Sequence, residues 1–146
     1  MKILIPTDFS KCAEQATQYG LTLATRLGAS VLLLNAYVVP MYPTPEDTMM
    51  GPDRTTLIER TAEEARSRLD ASRQHLAPSG LTVETRVAEG MPAEAILAVA
   101  KQEGCEMIVM GTHGHTGLKH LVLGSVAEHV VRSAPCPVLT VRSTDH

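Results

Sequence analysis

The sequence has few aromatic residues and no excess of positive charge. It contains no tryptophan, one phenylalanine and 3% aromatic residues in all, so it lacks the stacking surfaces that bind single-stranded nucleic acid. The formal net charge of −3 produces no long-range field that would attract nucleic acid or an anionic membrane. The composition therefore argues against nucleic acid and membrane partners.

Cysteine is also scarce, and no targeting segment is visible. Cys12, Cys105 and Cys136 are odd in number and have neither C-x-x-C spacing nor the density of a disulfide scaffold. The N-terminal segment reaches Pro6 after the apolar run Ile3–Ile5, too soon for a signal peptide, and no segment approaches a membrane span. We therefore expect a cytoplasmic protein, with Cys105 and Cys136 serving as small buried hydrophobes.

Short apolar runs recur along the chain and alternate with segments of helical spacing. The 146 residues, 44% of them hydrophobic, suffice for one domain spanning residues 1–146. Five apolar runs are typical of parallel strands buried on both faces: Ile3–Ile5, Val31–Leu34, Leu81–Val87, Met107–Met110 and Val138–Val141. Four helices are predicted between them: Ser10–Leu27, Arg54–Leu76, Pro92–Gln102 and Ser125–Arg132. This alternation predicts a doubly wound α/β domain that binds ligands beyond the carboxyl ends of its strands.

One segment interrupts the alternation. Tyr37–Asp53 contains four prolines and no usable periodicity. A loop of this length inside a compact domain is either a lid or a mobile connection. The sequence leaves both alternatives open.

A glycine-rich segment joins the fourth predicted strand to the last predicted helix. In Gly111–Val131, GTHGHTGLKHLVLGSVAEHVV, three glycines are expected to turn with positive φ and to form an anion-binding nest of N–H groups: Gly111, Gly114 and Gly117. Gly124 and Ser125 begin the last helix, where free N–H groups offer a second anion site. The spacing matches neither the dinucleotide fingerprint nor the Walker A loop. Two anion sites in one segment indicate a polyphosphate ligand.

At these residues the sequence resembles a known family. Gly111-x2-Gly114-x9-Gly124-Ser125 is similar to the ATP-binding motif of the universal stress protein family. Three further stretches resemble the same family: Pro6–Ser10, Gly90–Ile96 and Ala134–Leu139. The resemblance implies a five-stranded parallel sheet of order 3-2-1-4-5 and a homodimer. It also implies that ATP, ADP or AMP, with Mg²⁺ as a possible companion, lies across the carboxyl ends of strands one, two and four.

The resemblance assigns residues to the parts of this ligand. Pro6, Thr7 and Asp8 would line the adenosine end, with Asp8 as the polar contact to adenine or ribose, and Ala36 would pack on the base. The ribose and phosphates would be wrapped by Gly111, Thr112, His113, Gly114, His115, Thr116 and Gly117. Ser125, Val126 and Ala127 would donate hydrogen bonds to phosphate from the helix start, and Gly124 completes the nucleotide-binding set.

Two positions depart from the family pattern. Asn35-Ala36 stands where many members have His-Val, which makes a shallower apolar seat for the base. His113 and His115 occupy positions where arginine or lysine is frequent, so the fixed positive charge rests mainly on Lys119. The departures predict modest affinity.

Several of these residues also have purely structural interpretations. Asp8 could cap the first helix, and Ser125 with Glu128 reads as a capping box. Four of the six histidines crowd this region: His113, His115, His120 and His129. A zinc site is disfavoured, because the helical spacing of a two-histidine site with a third ligand is missing.

The leading interpretation is a ligand-responsive regulatory protein rather than an enzyme. The loop contains no carboxylate pair for metals and no base beside a nucleophile, although His113 or His115 could serve as the base of a slow ATPase or nucleotidyltransferase. A module that has lost its ligand is the third alternative, and the intact glycines argue against it. The last strand, Pro137–Val141, is expected at the edge of the sheet, where it would pair antiparallel with a second copy. An edge shielded by its own last helix is the alternative.

Overall fold

A computed structural model describes residues 1–39, 54–115 and 122–144. Within these ranges, five strands alternate with four helices. The strands are β1 (Lys2–Pro6), β2 (Ser30–Tyr37), β3 (Val83–Glu89), β4 (Met107–Gly111) and β5 (Val138–Val141). The helices are α1 (Lys11–Leu27), α2 (Arg54–Leu76), α3 (Pro92–Gln102) and α4 (Ser125–Ser133). Within the described ranges, no helix combines the length and apolar composition that a membrane span requires.

The strands form one parallel sheet in the order β3-β2-β1-β4-β5, which confirms the predicted architecture. β1 pairs with β2 up to Pro6↔Leu34, and β4 pairs with β5 up to Gly111↔Val141. β2 continues three residues beyond the predicted Leu34, because β3 pairs with it as far as Tyr37↔Glu89. The chain winds away from β1 in one direction through β2 and β3, and in the other through β4 and β5.

Side chains alternate between the two faces of the sheet and supply two buried cores. On one face, Leu4, Leu32 and Ile108 pack in one cluster with buried residues of α3 and α4. On the other, Ile3 and Val31 cluster with residues of α1 and α2. Since both faces are covered, the strands read as continuous apolar runs rather than as alternating patterns.

Helix α1 is capped at both ends by local chemistry. The Ser10 hydroxyl accepts a hydrogen bond from the Ala13 N–H at 3.2 Å, and Gly28 ends the helix in the left-handed conformation with φ of 65°. The interpretation of Asp8 as the cap is therefore wrong. Asp8 lies two residues earlier, and its Oδ1 instead accepts from the Ser10 N–H at 2.9 Å.

The cysteines lie within or beside these cores as free thiols. Cys12 and Cys105 are buried, and Cys136 is half-buried. Burial raises the pKa of the Cys105 thiol and of the Cys136 thiol. A raised pKa keeps both groups protonated and poorly nucleophilic, consistent with a packing role.

We predict that Leu69→Ala lowers the free energy of unfolding by about 2–5 kcal/mol, because it empties a fully buried position between α2 and the sheet. Denaturant titration measures the loss. Gln74→Ala, an exposed position on the same helix, is the matched control and should change stability by less than about 0.5 kcal/mol. Equal effects of the two substitutions would contradict this account of the core.

Candidate functional site

A cavity of about 420 Å³ opens at the carboxyl ends of β1, β2 and β4. It lies beside the boundary between β1 and β4, where the strand order reverses and where open α/β sheets bind their ligands. All described residues of the predicted site border it: Pro6, Thr7, Asp8, Ala36, Gly111, Thr112, His113, Gly114, His115, Gly124, Ser125, Val126 and Ala127. Thr116, Gly117 and Lys119 lie outside the described residues, as does most of the proposed lid segment.

Five apolar residues that were not predicted complete the wall: Ala13, Leu34, Pro92, Ile96 and Met110. Leu34, Ile96 and Met110 also belong to the buried core. In the sequence they look like any other core residue, because the apolar pattern does not reveal which core side chain borders an opening. Pro92 and Ile96 lie on α3, within the Gly90–Ile96 stretch that resembles the family, but neither was assigned to the ligand. One side of the cavity is therefore aliphatic.

The turn after β1 is fixed by hydrogen bonds on both sides of Thr7. The Thr7 N–H donates to the Leu34 carbonyl oxygen at 2.8 Å, and the Asn35 side-chain amide donates to the Thr7 carbonyl oxygen at 2.9 Å. The Thr7 hydroxyl accepts from the Phe9 N–H at 3.0 Å. Phe9 has φ of 64°, a conformation that few residues other than glycine adopt. Asn35, a buried amide, thus holds the turn after β1 in place, a role that sequence reasoning missed.

Backbone hydrogen bonds at Thr112 and Gly124 form a junction that joins the loop after β4 to β5 and to the start of α4. The Thr112 N–H donates to the Val141 carbonyl oxygen at 3.0 Å, and the Gly124 N–H donates to the Thr112 carbonyl oxygen at 2.7 Å. A Cβ on Gly124 would lie 3.2 Å from that same oxygen, and one on Gly111 would lie 2.8 Å from the Cys12 sulfur. These two glycines therefore allow close approach between parts of the protein.

The expected positive φ is wrong for Gly111 and Gly114. Neither belongs to the described glycines with positive φ, which are Gly28, Gly80, Gly90 and Gly104. Gly117, the third glycine of the prediction, lies outside the described residues. At Gly111 and Gly114 the requirement is space: a side chain there would collide with a neighbouring group.

Asp8 and His115 face each other at the mouth of the cavity. The Asp8 Oδ2 accepts from the His115 N–H at 3.2 Å, and the His115 Nε2 lies 2.8 Å from the Asp8 carbonyl oxygen. A Cβ on Gly114 would overlap the Asp8 Oδ2. On the far side of Gly114, the His113 Nδ1 lies 3.0 Å from the Thr112 hydroxyl. The cavity rim is thus held by contacts between two loops.

Helix α4 directs its amino end at the cavity. Gly124 is the N-cap residue and makes no side-chain cap, so Ser125 is the first helical residue. The capping-box interpretation of Ser125 and Glu128 is therefore wrong, because Ser125 stands one position too late to cap. The first N–H groups of a helix have no partner within it and carry partial positive charge. Ser125, Val126 and Ala127 place these groups along the cavity.

The charge around the cavity is sparse. Among the described lining residues, Asp8 is the one carboxylate, and lysine and arginine are absent. Within the described part of the chain, no group of three histidine, cysteine, aspartate or glutamate side chains could hold a metal ion. The arrangement combines an aliphatic wall with a helix amino end. It can accommodate a ligand that combines a flat apolar group with an anion.

Comparison with protein families gives one match across almost the whole chain. The model of the universal stress protein family matches residues 1–142. The chain is 36% identical over 141 residues to universal stress protein MJ0531 of Methanocaldococcus jannaschii, which covers 97% of this chain and 81% of that protein. It is 31% identical over 152 residues to universal stress protein MJ0577 of the same organism, covering 97% of this chain and 94% of the other.

Solved structures share the fold. The structure of MJ0577 superposes with a TM-score of 0.83 at 33% identity, over 99% of this chain and 97% of that one. A universal stress protein in complex with cAMP superposes with a TM-score of 0.64 at 22% identity, over 99% and 98% of the two chains. The likeness to the second is one of fold alone.

Proposed function

The chain belongs to the universal stress protein family, and from this premise we propose that it binds ATP or a closely related adenine nucleotide. In this proposal it is a cytoplasmic stress-response or regulatory protein whose bound ligand alters a mobile segment or a partner surface. A ligand achieves this only by binding one state more tightly than the other. The observation that carries the proposal is the cavity, which gathers every described residue of the predicted nucleotide site.

The adenosine end is assigned to the aliphatic side of the cavity. Ala36 offers its methyl group beside Leu34 and Ile96, a surface suited to the face of a purine. The small side chain of Ala36 leaves room for the ring. Asp8 lies at the same end with its carboxylate at the rim, where it would accept from a ribose hydroxyl or an adenine amino group. Burial of the apolar base supplies affinity, and the carboxylate supplies orientation.

The phosphates are assigned to the amino end of α4. Free N–H groups and the positive end of the helix dipole favour an anion there. Ser125, Val126 and Ala127 border the cavity at this end, and Gly124 makes no side-chain cap. Mg²⁺, where present, would come with the nucleotide, since this ion is usually held through substrate phosphates with few protein carboxylates. The known complex of this fold with cAMP supports an adenine nucleotide as the ligand class.

We propose further that the protein is not an enzyme. Phosphoryl transfer requires a metal clamp, fixed cations and an oriented nucleophile, and the described lining residues supply one carboxylate and no lysine or arginine.

We predict that Ala36→Leu weakens ATP binding by about tenfold or more, because the larger side chain fills the space that the base would occupy. A tenfold loss of affinity corresponds to about 1.4 kcal/mol of binding free energy. Isothermal titration calorimetry measures the affinity. Ala98→Leu adds the same group at an exposed position of α3 and should bind like the native chain. If Ala36→Leu binds ATP with unchanged affinity, the base lies elsewhere.

Turnover should be negligible. When purified protein is incubated with ATP and Mg²⁺ for several hours, we expect phosphate release far slower than the turnover rates of ordinary enzymes. Release at about 1 per second or faster would place the protein among ordinary enzymes and overturn the assignment. A preparation of Ala36→Leu carried through the same purification controls for contaminating ATPases.

We also propose a homodimer through the last strand. β5 lies at the edge of the sheet, its four residues are half-buried, and Val131 of the neighbouring α4 is 47% exposed. An apolar edge with unpaired backbone groups favours pairing with another strand, and two-fold symmetry would use the same edge twice.

Leu139→Lys should convert the dimer to a monomer, because Leu139 lies half-buried on the edge strand at which the second copy would pair, and a charge there opposes burial. Analytical ultracentrifugation of the native chain and the variant at about 100 µM decides this, since stable interfaces hold at micromolar concentrations. Circular dichroism should be the same for both chains. A native chain that sediments as a monomer at that concentration contradicts the proposed dimer.

A further inference from the structure

Two loops that are far apart in sequence meet at the mouth of the cavity. Asp8 follows β1 and His115 follows β4, and two hydrogen bonds join them. We infer that Asp8, Gly114 and His115 form a clasp that holds the loop after β4 in place at Gly114 and His115, with Asp8 as its positioning residue. The part of this inference that concerns ligand affinity rests on the proposed function, and the clasp itself does not.

Each oxygen of the Asp8 carboxylate has a different backbone partner. Oδ1 accepts from the Ser10 N–H at 2.9 Å within its own turn, and Oδ2 accepts from the His115 N–H at 3.2 Å in the other loop. A carboxylate can serve both, because both of its oxygens are acceptors. An asparagine amide has only one acceptor oxygen, so it would lose one of these bonds and turn its NH₂ toward an N–H donor. The two bonds therefore require a carboxylate rather than an amide at this position.

The His115 side chain adds a second bond between the same loops. Its Nε2 lies 2.8 Å from the Asp8 carbonyl oxygen, which can only accept, so Nε2 carries the proton. The backbone N–H and the ring of His115 thus both donate to Asp8. These two bonds fix both the orientation of the loop after β4 and its distance from the loop after β1.

Gly114 is explained by the same contact. Its φ is outside the positive range, so its conformation does not demand glycine. A Cβ at this position would overlap the Asp8 Oδ2. Any side chain at position 114 would therefore separate Asp8 from His115. The glycine at this position of the motif is required for contact between the loops, in addition to any approach of a ligand.

The clasp and the backbone junction hold the segment at two places. The Gly124 N–H bonds the Thr112 carbonyl oxygen at 2.7 Å behind the cavity, and the clasp holds Gly114 and His115 at its mouth. Both places border the cavity. Loop residues that are already held in place, such as Gly114 and His115, lose less conformational entropy when the ligand binds. Opening the clasp should therefore weaken nucleotide binding.

The clasp is tested first in the ligand-free protein. Amide hydrogen exchange measures it at a fixed pH. The Ser10 and His115 amide protons should each exchange with solvent at least several-fold faster in Asp8→Ala than in the native chain, because this substitution removes both acceptor oxygens. Glu14→Gln, which removes another carboxylate of the adjoining helix α1, should leave both exchange rates unchanged. A His115 amide that exchanges at the same rate in the native chain and in Asp8→Ala would overturn the clasp.

The effect on the ligand is tested by a double-mutant cycle with ATP. Asp8→Asn and Gly114→Ala should each weaken ATP binding. The affinity of the double variant should be no more than about twofold lower than that of the weaker-binding single variant, because both substitutions open the same contact. Losses that multiply would contradict a positioning role and leave Asp8 and Gly114 as independent ligand contacts. If the native chain binds no adenine nucleotide, the proposed function fails, and the amide hydrogen exchange still decides the clasp.

Discussion

The pairing of β1 with both β2 and β4 is the constraint on which the rest of the structure depends. Because the chain winds away from β1 in opposite directions, α1 and α2 cover one face of the sheet and α3 and α4 cover the other. The connections diverge between β1 and β4, and a gap remains beyond their carboxyl ends. The 420 Å³ cavity occupies this gap. Burial of the two cores thus creates the site without any element dedicated to it.

Backbone groups carry most of the chemistry that this gap offers. The α4 amino end presents uncapped N–H groups, and the loops are joined by bonds to the Thr112 and Asp8 carbonyl oxygens. Glycine is needed where the loops touch, since a Cβ at Gly114 would reach the Asp8 carboxylate. A site built in this way tolerates a low content of charged and aromatic side chains. The composition, which excludes many kinds of binding protein, is compatible with this one.

The sequence predicted the fold well, because a sheet buried on both faces leaves uninterrupted apolar runs such as Met107–Met110. It predicted the site loops because the glycine motif and the Pro6–Ser10 turn are local patterns. It did not reveal Ile96 or Met110 as cavity residues, since a core side chain beside an opening has the same composition as any other. It also gave the wrong reason for Gly111 and Gly114. Their neighbours, Cys12 and Asp8, are about 100 residues away, and local turn chemistry could not disclose them.

The central claim is that an adenine ring occupies the aliphatic side of the cavity. Its most direct test is a titration of ¹³C-methyl-alanine-labelled protein with ATP. The account predicts that the methyl signals of Ala36 and Ala13, which border the cavity, shift through the ring current of the base and show nuclear Overhauser contacts to adenine protons. The exposed Ala98 methyl should not change. ATP that binds while the Ala36 signal stays fixed and shows no such contact would contradict the account.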